Sequence, residues 1–333
     1  MAELYQSPHR GAVHVDVISE QRYDEIMVTV VEPLLQRYRN KGFLTIVRGV
    51  RLNYEYYLCA DPVGAVVISH GFTESAEKFR EMIYYFLQAG YSVFALDHRG
   101  HGRSYREMEN PNLVHVGKFQ DYVDDFDRFI KRIVRPNAVN LPLYLFGHSM
   151  GGAVAAFYLS QHPVTFRRAV LNAPMIAPKT ANFPLWLAEG LAFLMCLSGN
   201  GKKRVLNYGD FDENDPFETS AGTSLQRFEY YQQKRIHYRH LRTVTPTYGW
   251  LLQATRVTRA LLNRSNCATV QAPVLLFQAE IEDYVRPEPQ ERYVARIPHG
   301  ELIHVKDSKH EIYMSENSVL QPYLDQIFSF FSK

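Results

Sequence analysis

Residues 147–151, Gly-His-Ser-Met-Gly, are the part of this sequence with the clearest chemistry, because they match the pattern G-x-S-x-G. The apolar run Pro142–Phe146 before them predicts a strand, and the Ala-rich segment Ala153–Gln161 after them predicts a helix. A serine between a strand and a helix occupies a sharp, strained turn, which needs small flanking glycines. Ser149 is therefore a candidate nucleophile for acyl transfer.

A serine hydroxyl is a weak nucleophile at neutral pH and requires a general base that a third group orients. After a strand–serine–helix turn of this kind, the expected chain order is serine, then an acidic residue, then histidine. His310 fits as the base, because it follows the predicted strand Glu301–Val305 in a predicted loop. His299 and His304 compete with it, but they fall in the turn before that strand and inside it.

The acidic partner is expected after the predicted strand Pro273–Gln278, where Glu282 and Asp283 stand side by side. Adjacent side chains cannot both point at one imidazole, so one of them is a surface carboxylate. Glu282 lies three residues before Val285, the usual offset from the acid to the apolar residue that packs under the sheet. We therefore predict Glu282 as the acid and keep Asp283 as the second choice.

Attack on a carbonyl also requires donors for the oxyanion that develops. One expected donor is the backbone N–H of Met150, directly after the nucleophile. The second is expected from the loop after an earlier strand, Ala65–Ser69, which ends at His70-Gly71. The backbone N–H of Phe72 is the candidate there.

Apolar strands alternate with helices on both sides of these motifs, which predicts an α/β fold with a mostly parallel sheet covered by helices on both faces. The alternation stops near Pro174 and resumes at Pro273, so a helical cap insertion over the carboxyl ends of the strands is expected. The predicted division is a core in residues 1–177, including an N-terminal extension (1–40), a cap in 178–268, and the rest of the core in 269–333. The other predicted elements are strands in 43–58, 91–96 and 168–171, and helices at 76–88, 119–134 (ending before Pro136), 287–296 and 317–331.

The segments HGFTES, DHRGHGRS and GHSMGG, followed by the late acid and histidine loops, occur in an order that resembles the α/β-hydrolase superfamily. They look most like its monoglyceride-lipase and bacterial lysophospholipase branch, over about residues 40–333. The segment QAEIEDYV departs from the commoner form, which has Gly where Ala279 stands and Asp where Glu282 stands. The bacterial lysophospholipases share this departure. The resemblance implies a serine hydrolase of carboxylic esters, lysophospholipids first, without a cofactor.

The predicted cap has two parts of different chemistry. Phe183–Leu197 is apolar around nearly its whole circumference, which fits either a buried cap helix or a lid that faces lipid. The following part is basic and aromatic, which fits either a solvated face or attraction to anionic headgroups or a substrate phosphate. Its members are Arg227, Tyr230, Tyr231, Lys234, Arg235, His237, Tyr238, Arg239, His240, Arg242, Arg256, Arg259 and Arg264. These residues favour peripheral contact with a membrane, and the resemblance to bacterial lysophospholipases implies the inner membrane.

The composition limits the other classes of function. The chain has 37 basic and 35 acidic residues in 333, and this balance gives no support for a nucleic-acid partner. Three widely spaced cysteines predict neither disulfides nor zinc, and His98 and His101 lack the companions of a metal site. No secretory signal or run of ~18 apolar residues is visible, so a cytoplasmic protein is expected. The alternatives are a monoacylglycerol lipase, a thioesterase or another carboxylesterase, and, more remotely, a non-catalytic lipid- or partner-binding protein.

Overall fold

Residues 3–181 and 183–333 are the part of the chain that the computed structural model describes, and within them eight strands form one sheet. Including a separate pair, the described residues form ten strands: β1 (Asn40–Val47), β2 (Val50–Tyr57), β3 (Gly64–Ser69), β4 (Tyr91–Leu96), β5 (Leu113–Val114), β6 (Leu143–His148), β7 (Arg168–Asn172), β8 (Thr245–Pro246), β9 (Val274–Ile281) and β10 (Gly300–Lys309). Their order in the sheet is β1-β2-β4-β3-β6-β7-β9-β10, and β5 pairs with β8 elsewhere. β2 is antiparallel to both β1 and β4, and the other neighbours in the large sheet are parallel. The predicted mostly parallel sheet is confirmed.

Helices cover both faces of this sheet, as the sequence predicts. They are α1 (Tyr23–Ile26), α2 (Glu32–Tyr38), α3 (Arg80–Gln88), α4 (Gln120–Phe129), α5 (Arg135–Asn137), α6 (Ser149–Gln161), α7 (Leu185–Leu197), α8 (Leu225–His237), α9 (Tyr248–Leu261), α10 (Arg264–Ala268), α11 (Pro287–Val294) and α12 (Asn317–Ser332). Shorter 3₁₀ or π turns lie at Glu20–Arg22, Met27–Val31, Ala76–Phe79, Ile130–Val134, Phe217–Thr219, Arg239–Leu241 and Ile312–Met314.

The central strands explain why both faces need covering. Every residue of β3, β4 and β6 is buried, so successive side chains enter cores on opposite sides of the sheet. Val67 lies in the core with Phe126 of α4 and with residues of α6 and α9. Its neighbour Val66 lies in the other core, with Phe86 of α3 and Phe328 of α12. This packing fixes the carboxyl edge of the sheet, where the candidate site residues lie.

One predicted helix boundary is wrong. The helix predicted to end before Pro136 continues through a π turn, Ile130–Val134, and the short helix α5, which contains that proline. Pro136 lies in the last turn of this continuous helix, directly after the π turn, which is a local adjustment that accompanies proline in helices.

The segment 178–268 differs from the prediction in one detail, because it contains the short strand β8, paired with β5. Its two ends also pack differently. α7 leaves most of its apolar side chains exposed, whereas α9 buries Trp250, Ala254 and Val257 in the same core as α6. The division of the chain at 177/178 and 268/269 stays a prediction, and the packing of α9 is the observation that bears on its second boundary.

Candidate active site

The turn between β6 and α6 positions Ser149. This residue begins α6 directly after β6 and has φ +50°, an uncommon value for a residue with a side chain. A Cβ on Gly147 would lie 2.9 Å from the Cβ of Ala155, and one on Gly151 would collide with the backbone carbonyl of Ser69. The two flanking glycines therefore allow the close approach of β3 and α6 that this turn requires.

Ser149, His310 and Glu282, which we call the triad, form a hydrogen-bonded chain in which His310 lies between the other two. The Nε2 atom of His310 is 2.8 Å from the Oγ of Ser149, and its Nδ1 atom is 2.7 Å from the Oε2 of Glu282. A ring that donates from Nδ1 to the carboxylate accepts the serine hydroxyl at Nε2. All three residues are buried, with Ser149 only 8% exposed. This arrangement suits proton transfer from the serine to the histidine.

The structure brings Glu282, and not Asp283, to His310. The other carboxylate oxygen of Glu282 accepts the backbone N–H groups of Tyr284 at 2.8 Å and Val285 at 3.2 Å. Burial works to raise the pKa of Glu282, but the hydrogen bond and charge of His310 and the two backbone N–H groups lower it. The side chain of Asp283 is 82% exposed. The ring of Tyr284 also covers His310, with the ring centroids 4.9 Å apart.

The strand that leads to His310 is longer than the sequence predicts. β10 continues to Lys309, whereas the sequence predicts a loop after Val305. The pairing of β10 with β9 is irregular between these two residues, so the strand signal fades there although the backbone remains extended. His299 and His304, the competing candidates, both lie exposed.

Phe72 follows β3 and Met150 follows Ser149, and their role as oxyanion donors stays a prediction. Met150 is the second residue of α6, and the first N–H groups of a helix have no partner within it. The N–H of Phe72 has no acceptor among the residues that the structure describes. The ring of Phe72 packs 4.2 Å from the ring centroid of Trp250 and 5.7 Å from that of His101, which fixes the loop after β3.

A second histidine–carboxylate pair lies directly behind the triad, and sequence reasoning missed it. The Nδ1 atom of His148 is 2.9 Å from the Oε2 of Glu74, and its Nε2 atom is 3.3 Å from the backbone carbonyl oxygen of His310. Tyr313 donates its hydroxyl to Glu74. Burial works to raise the pKa of Glu74, but His148 and the ammonium of Lys78 lower it well below its usual range. The sequence signal that could have indicated this pair is the position of His148 directly before Ser149.

The histidines of the HGFTES and DHRGHGRS segments have structural partners. The Nε2 atom of His70 accepts the backbone N–H of His98 at 2.9 Å, and Asp97 accepts the backbone N–H of Ala76 at 2.8 Å. Burial lowers the pKa of His70, His98 and His101, which favours their neutral forms. Across residues 3–181 and 183–333, no group of three or more histidine, cysteine or acidic side chains is suited to a metal ion.

The apolar helix α7 lies on the surface rather than in the core. Trp186 and Leu197 are each 73% exposed, and Leu194 is 60% exposed. Ala192 is buried against Tyr248 and Leu252 of α9, so one narrow side of α7 contacts the rest of the chain. None of the helices in the described part of the chain has the length and apolar character needed to cross a membrane.

Known proteins resemble this chain in sequence and in fold. The family described as "Serine aminopeptidase, S33" matches residues 60–317. Lysophospholipase L2 of Escherichia coli is 28% identical over 319 residues, covering 89% of this chain and 88% of that protein. The monoacylglycerol lipase of Mycolicibacterium smegmatis is 35% identical over 143 residues, 43% of this chain and 49% of that protein.

Solved structures give the same picture of the fold. A soluble variant of the Saccharomyces cerevisiae monoglyceride lipase superposes with a TM-score of 0.70 at 17% identity, covering 87% of this chain and 93% of that one. A thermostable carboxyl esterase from Bacillus coagulans superposes with a TM-score of 0.72 at 18% identity, covering 88% of this chain and 97% of that one. This likeness confirms the predicted α/β-hydrolase fold. Because the family match covers most of the sequence, the chain belongs to the serine aminopeptidase S33 family of hydrolases.

Proposed function

We propose that this chain hydrolyses the acyl ester of lysophospholipids through a covalent acyl-enzyme. The observation that carries the proposal is the hydrogen-bonded line from Glu282 through His310 to Ser149. It occurs in a chain that resembles lysophospholipase L2 of Escherichia coli over 89% of its length. A serine with an oriented histidine base is suited to acyl transfer, and the relative supports a lipid ester as the substrate.

In the acylation step, the Oγ atom of Ser149 bonds to the acyl carbon while its proton passes to the Nε2 atom of His310. Glu282 stabilises the imidazolium that forms. The N–H groups of Phe72 and Met150 donate to the oxyanion. When the intermediate collapses, the bond from the acyl carbon to the glycerol oxygen breaks, and that oxygen takes the proton from His310.

Deacylation repeats these proton transfers with water as the nucleophile. His310 accepts a proton from the water as the water oxygen bonds to the acyl carbon, and the same N–H groups stabilise the second oxyanion. The bond to Ser149 then breaks, and the serine oxygen takes the proton back from His310. The products are a fatty acid and the glycerophosphodiester that was released in the first step.

The exposed face of α7 supports peripheral contact with a membrane surface, and we place the protein at the cytoplasmic face of the inner membrane. A helix of 13 residues is about 20 Å long, which is shorter than the ~30 Å hydrocarbon core. The exposed side chains of α7, among them Trp186, Leu194 and Leu197, form an apolar patch. Two arginines of α9 border it: Arg256 lies over the ring of Phe193, and Arg259 donates to Glu189. An apolar patch with basic neighbours is suited to lie on an anionic bilayer, from which a single-chain lipid can enter the site.

A monoacylglycerol lipase is the second candidate. It is favoured by the monoacylglycerol lipase of Mycolicibacterium smegmatis. That relative is 35% identical over 43% of this chain, whereas lysophospholipase L2 is 28% identical over 89%. The mechanism would be the same, and the difference lies in the headgroup that the cap receives.

The deciding experiment is the release of fatty acid from lysophosphatidylethanolamine, lysophosphatidylcholine and monoacylglycerol that carry the same acyl chain. We expect turnover of both lysophospholipids, with Ser149→Ala reducing it by about a thousandfold or more while the thermal unfolding midpoint stays unchanged. Release from monoacylglycerol and from neither lysophospholipid would favour the second candidate. Turnover that persists in Ser149→Ala would contradict the mechanism.

A further inference from the structure

One face of α8 carries three polar side chains at four-residue spacing: Arg227, Tyr231 and Arg235. Arg227 at one end is fully buried and fully paired, since its guanidinium donates to Glu81 at 2.8 Å. On the next two turns, Tyr231 is buried and Arg235 is half-buried, and neither has partners comparable to those of Arg227. This difference along one helix face indicates that its far end serves a purpose other than stability.

Arg235 holds two donors that the chain does not satisfy. Its Nε and Nη2 atoms are inaccessible to solvent and have no hydrogen-bond partner among the described residues, and its Nη1 atom reaches Gln232 at 3.3 Å. The guanidinium lies 4.2 Å from the ring centroid of Phe211, which holds its plane. The hydroxyl of Tyr231, one turn earlier, is also inaccessible to solvent and lacks a partner among the same residues. Buried donors of this kind are costly unless something accepts from them.

Tyr231 faces the segment following His310, and Arg235 follows it one turn later on the same face of α8. The ammonium of Lys78 sits 5.0 Å from the ring centroid of Tyr231 and also donates to Glu311, the residue after the histidine. The backbone N–H of Glu311 donates to the carbonyl of Ala221, which lies just before α8, at 2.8 Å. The start of α8 and the segment after His310 are therefore directly joined.

We propose that Arg235, together with the hydroxyl of Tyr231, binds the phosphate of the lysophospholipid headgroup. The inference rests on the proposed function and deepens it by assigning the headgroup subsite. A guanidinium presents paired N–H donors whose spacing matches two phosphate oxygens, and a phenol supplies a third donor. Lys78 neutralises the nearby carboxylate of Glu311, which would otherwise repel an anion. A monoacylglycerol has no anionic group for these donors, and its neutral hydroxyls accept only weaker hydrogen bonds.

The test compares kcat/KM for lysophosphatidylethanolamine and for monoacylglycerol of the same chain length, both below their critical micelle concentrations. Arg235→Gln is expected to lower the lysophospholipid value by about tenfold to a hundredfold, mainly through KM, and to leave monoacylglycerol hydrolysis unchanged. Arg239→Gln, an exposed arginine of the same stretch, is the matched control and should change neither value. Arg235→Lys keeps the charge but loses the paired N–H donors of the guanidinium. Its kcat/KM for the lysophospholipid should therefore lie between those of the wild type and Arg235→Gln.

A structural role would give a different result. If Arg235 only supported the fold, Arg235→Gln would lower both kcat/KM values and the unfolding midpoint together. For a binding role we expect a midpoint that is unchanged or higher, because a buried charge without a partner is removed. Equal effects on the two substrates would overturn the inference.

Inorganic phosphate separates a lipid headgroup from free phosphate as the ligand. For a headgroup subsite, phosphate is expected to compete with lysophospholipid in the wild type, and Arg235→Gln should lose both this competition and the substrate preference. Loss of the competition with an unchanged substrate preference would assign the site to free phosphate and overturn the headgroup assignment. No turnover of lysophospholipid by the wild type would instead contradict the proposed function itself.

Discussion

Two adjacent carboxylates, Glu282 and Asp283, show at the residue scale how backbone geometry separates a side chain that contacts His310 from one at the surface. Glu282 is held by two backbone N–H groups and by His310, whereas Asp283 points into solvent. Glu282→Gln should therefore lower kcat by about a thousandfold or more, because the amide favours the wrong tautomer of the histidine. Asp283→Asn should stay within about twofold of the wild type. Steady-state kinetics on one ester measures both, and the opposite ranking would assign the acid to Asp283.

The pair of His148 and Glu74 makes a second prediction at this scale. His148 faces the backbone carbonyl of His310 and the carboxylate of Glu74 with its two ring nitrogens, so we expect it to position His310. His148→Asn can keep one of these contacts but not both. We expect kcat to fall about tenfold at unchanged KM, since binding energy is not involved. His304→Asn, at an exposed position, is the control. A change in KM with kcat intact would exclude the positioning role.

At the element scale, the sequence predicted what depends on local patterns. Buried apolar runs define strands without reference to the rest of the chain, and the bounds of β4 agree with the prediction residue for residue. The G-x-S-x-G turn and the order of the late loops likewise pointed to Ser149, Glu282 and His310, which the structure brings together. Glu74 and His148 were missed because their contact joins segments far apart in sequence. The continuation of the helix through Pro136 depends on a π turn, which has no simple pattern.

Helix α7 carries the prediction that belongs to this scale. Trp186 and Leu197 are exposed on it, and their burial in a bilayer would be worth about 1.5–3 kcal/mol each. Replacing both with serine should therefore weaken binding to anionic vesicles by at least about tenfold, as measured by co-sedimentation. Hydrolysis of a soluble short-chain ester should not change, because neither side chain belongs to the triad. Val164→Ser is the control, since this valine is 88% exposed outside α7. Equal vesicle binding by the double variant would contradict the membrane role.

For the whole molecule, the two helices α7 and α8 of the segment 178–268 are held to the core by different forces. α8 is joined to the rest of the protein by buried polar contacts, in which Arg227 donates to Glu81, to Glu20 near the N-terminus and to Asn317 of α12. α7 instead packs on α9 through Ala192 and through the partly exposed ion pair of Glu189 with Arg259. The buried contacts of Arg227 therefore fix α8 against the core.

The last prediction tests this fixed position. Arg227→Met leaves Glu81 buried without its partner, so the free energy of unfolding in urea should fall by about 3–5 kcal/mol. Arg227→Met with Glu81→Leu removes both charges and should recover much of that loss, whereas the exposed Arg239→Gln should change it by no more than about 0.5 kcal/mol. Phosphate binding at Arg235 needs α8 to stay in place, so Arg227→Met should also weaken the preference for lysophospholipid over monoacylglycerol. A stable Arg227→Met variant with unchanged preference would show that this ion pair does not position the helix.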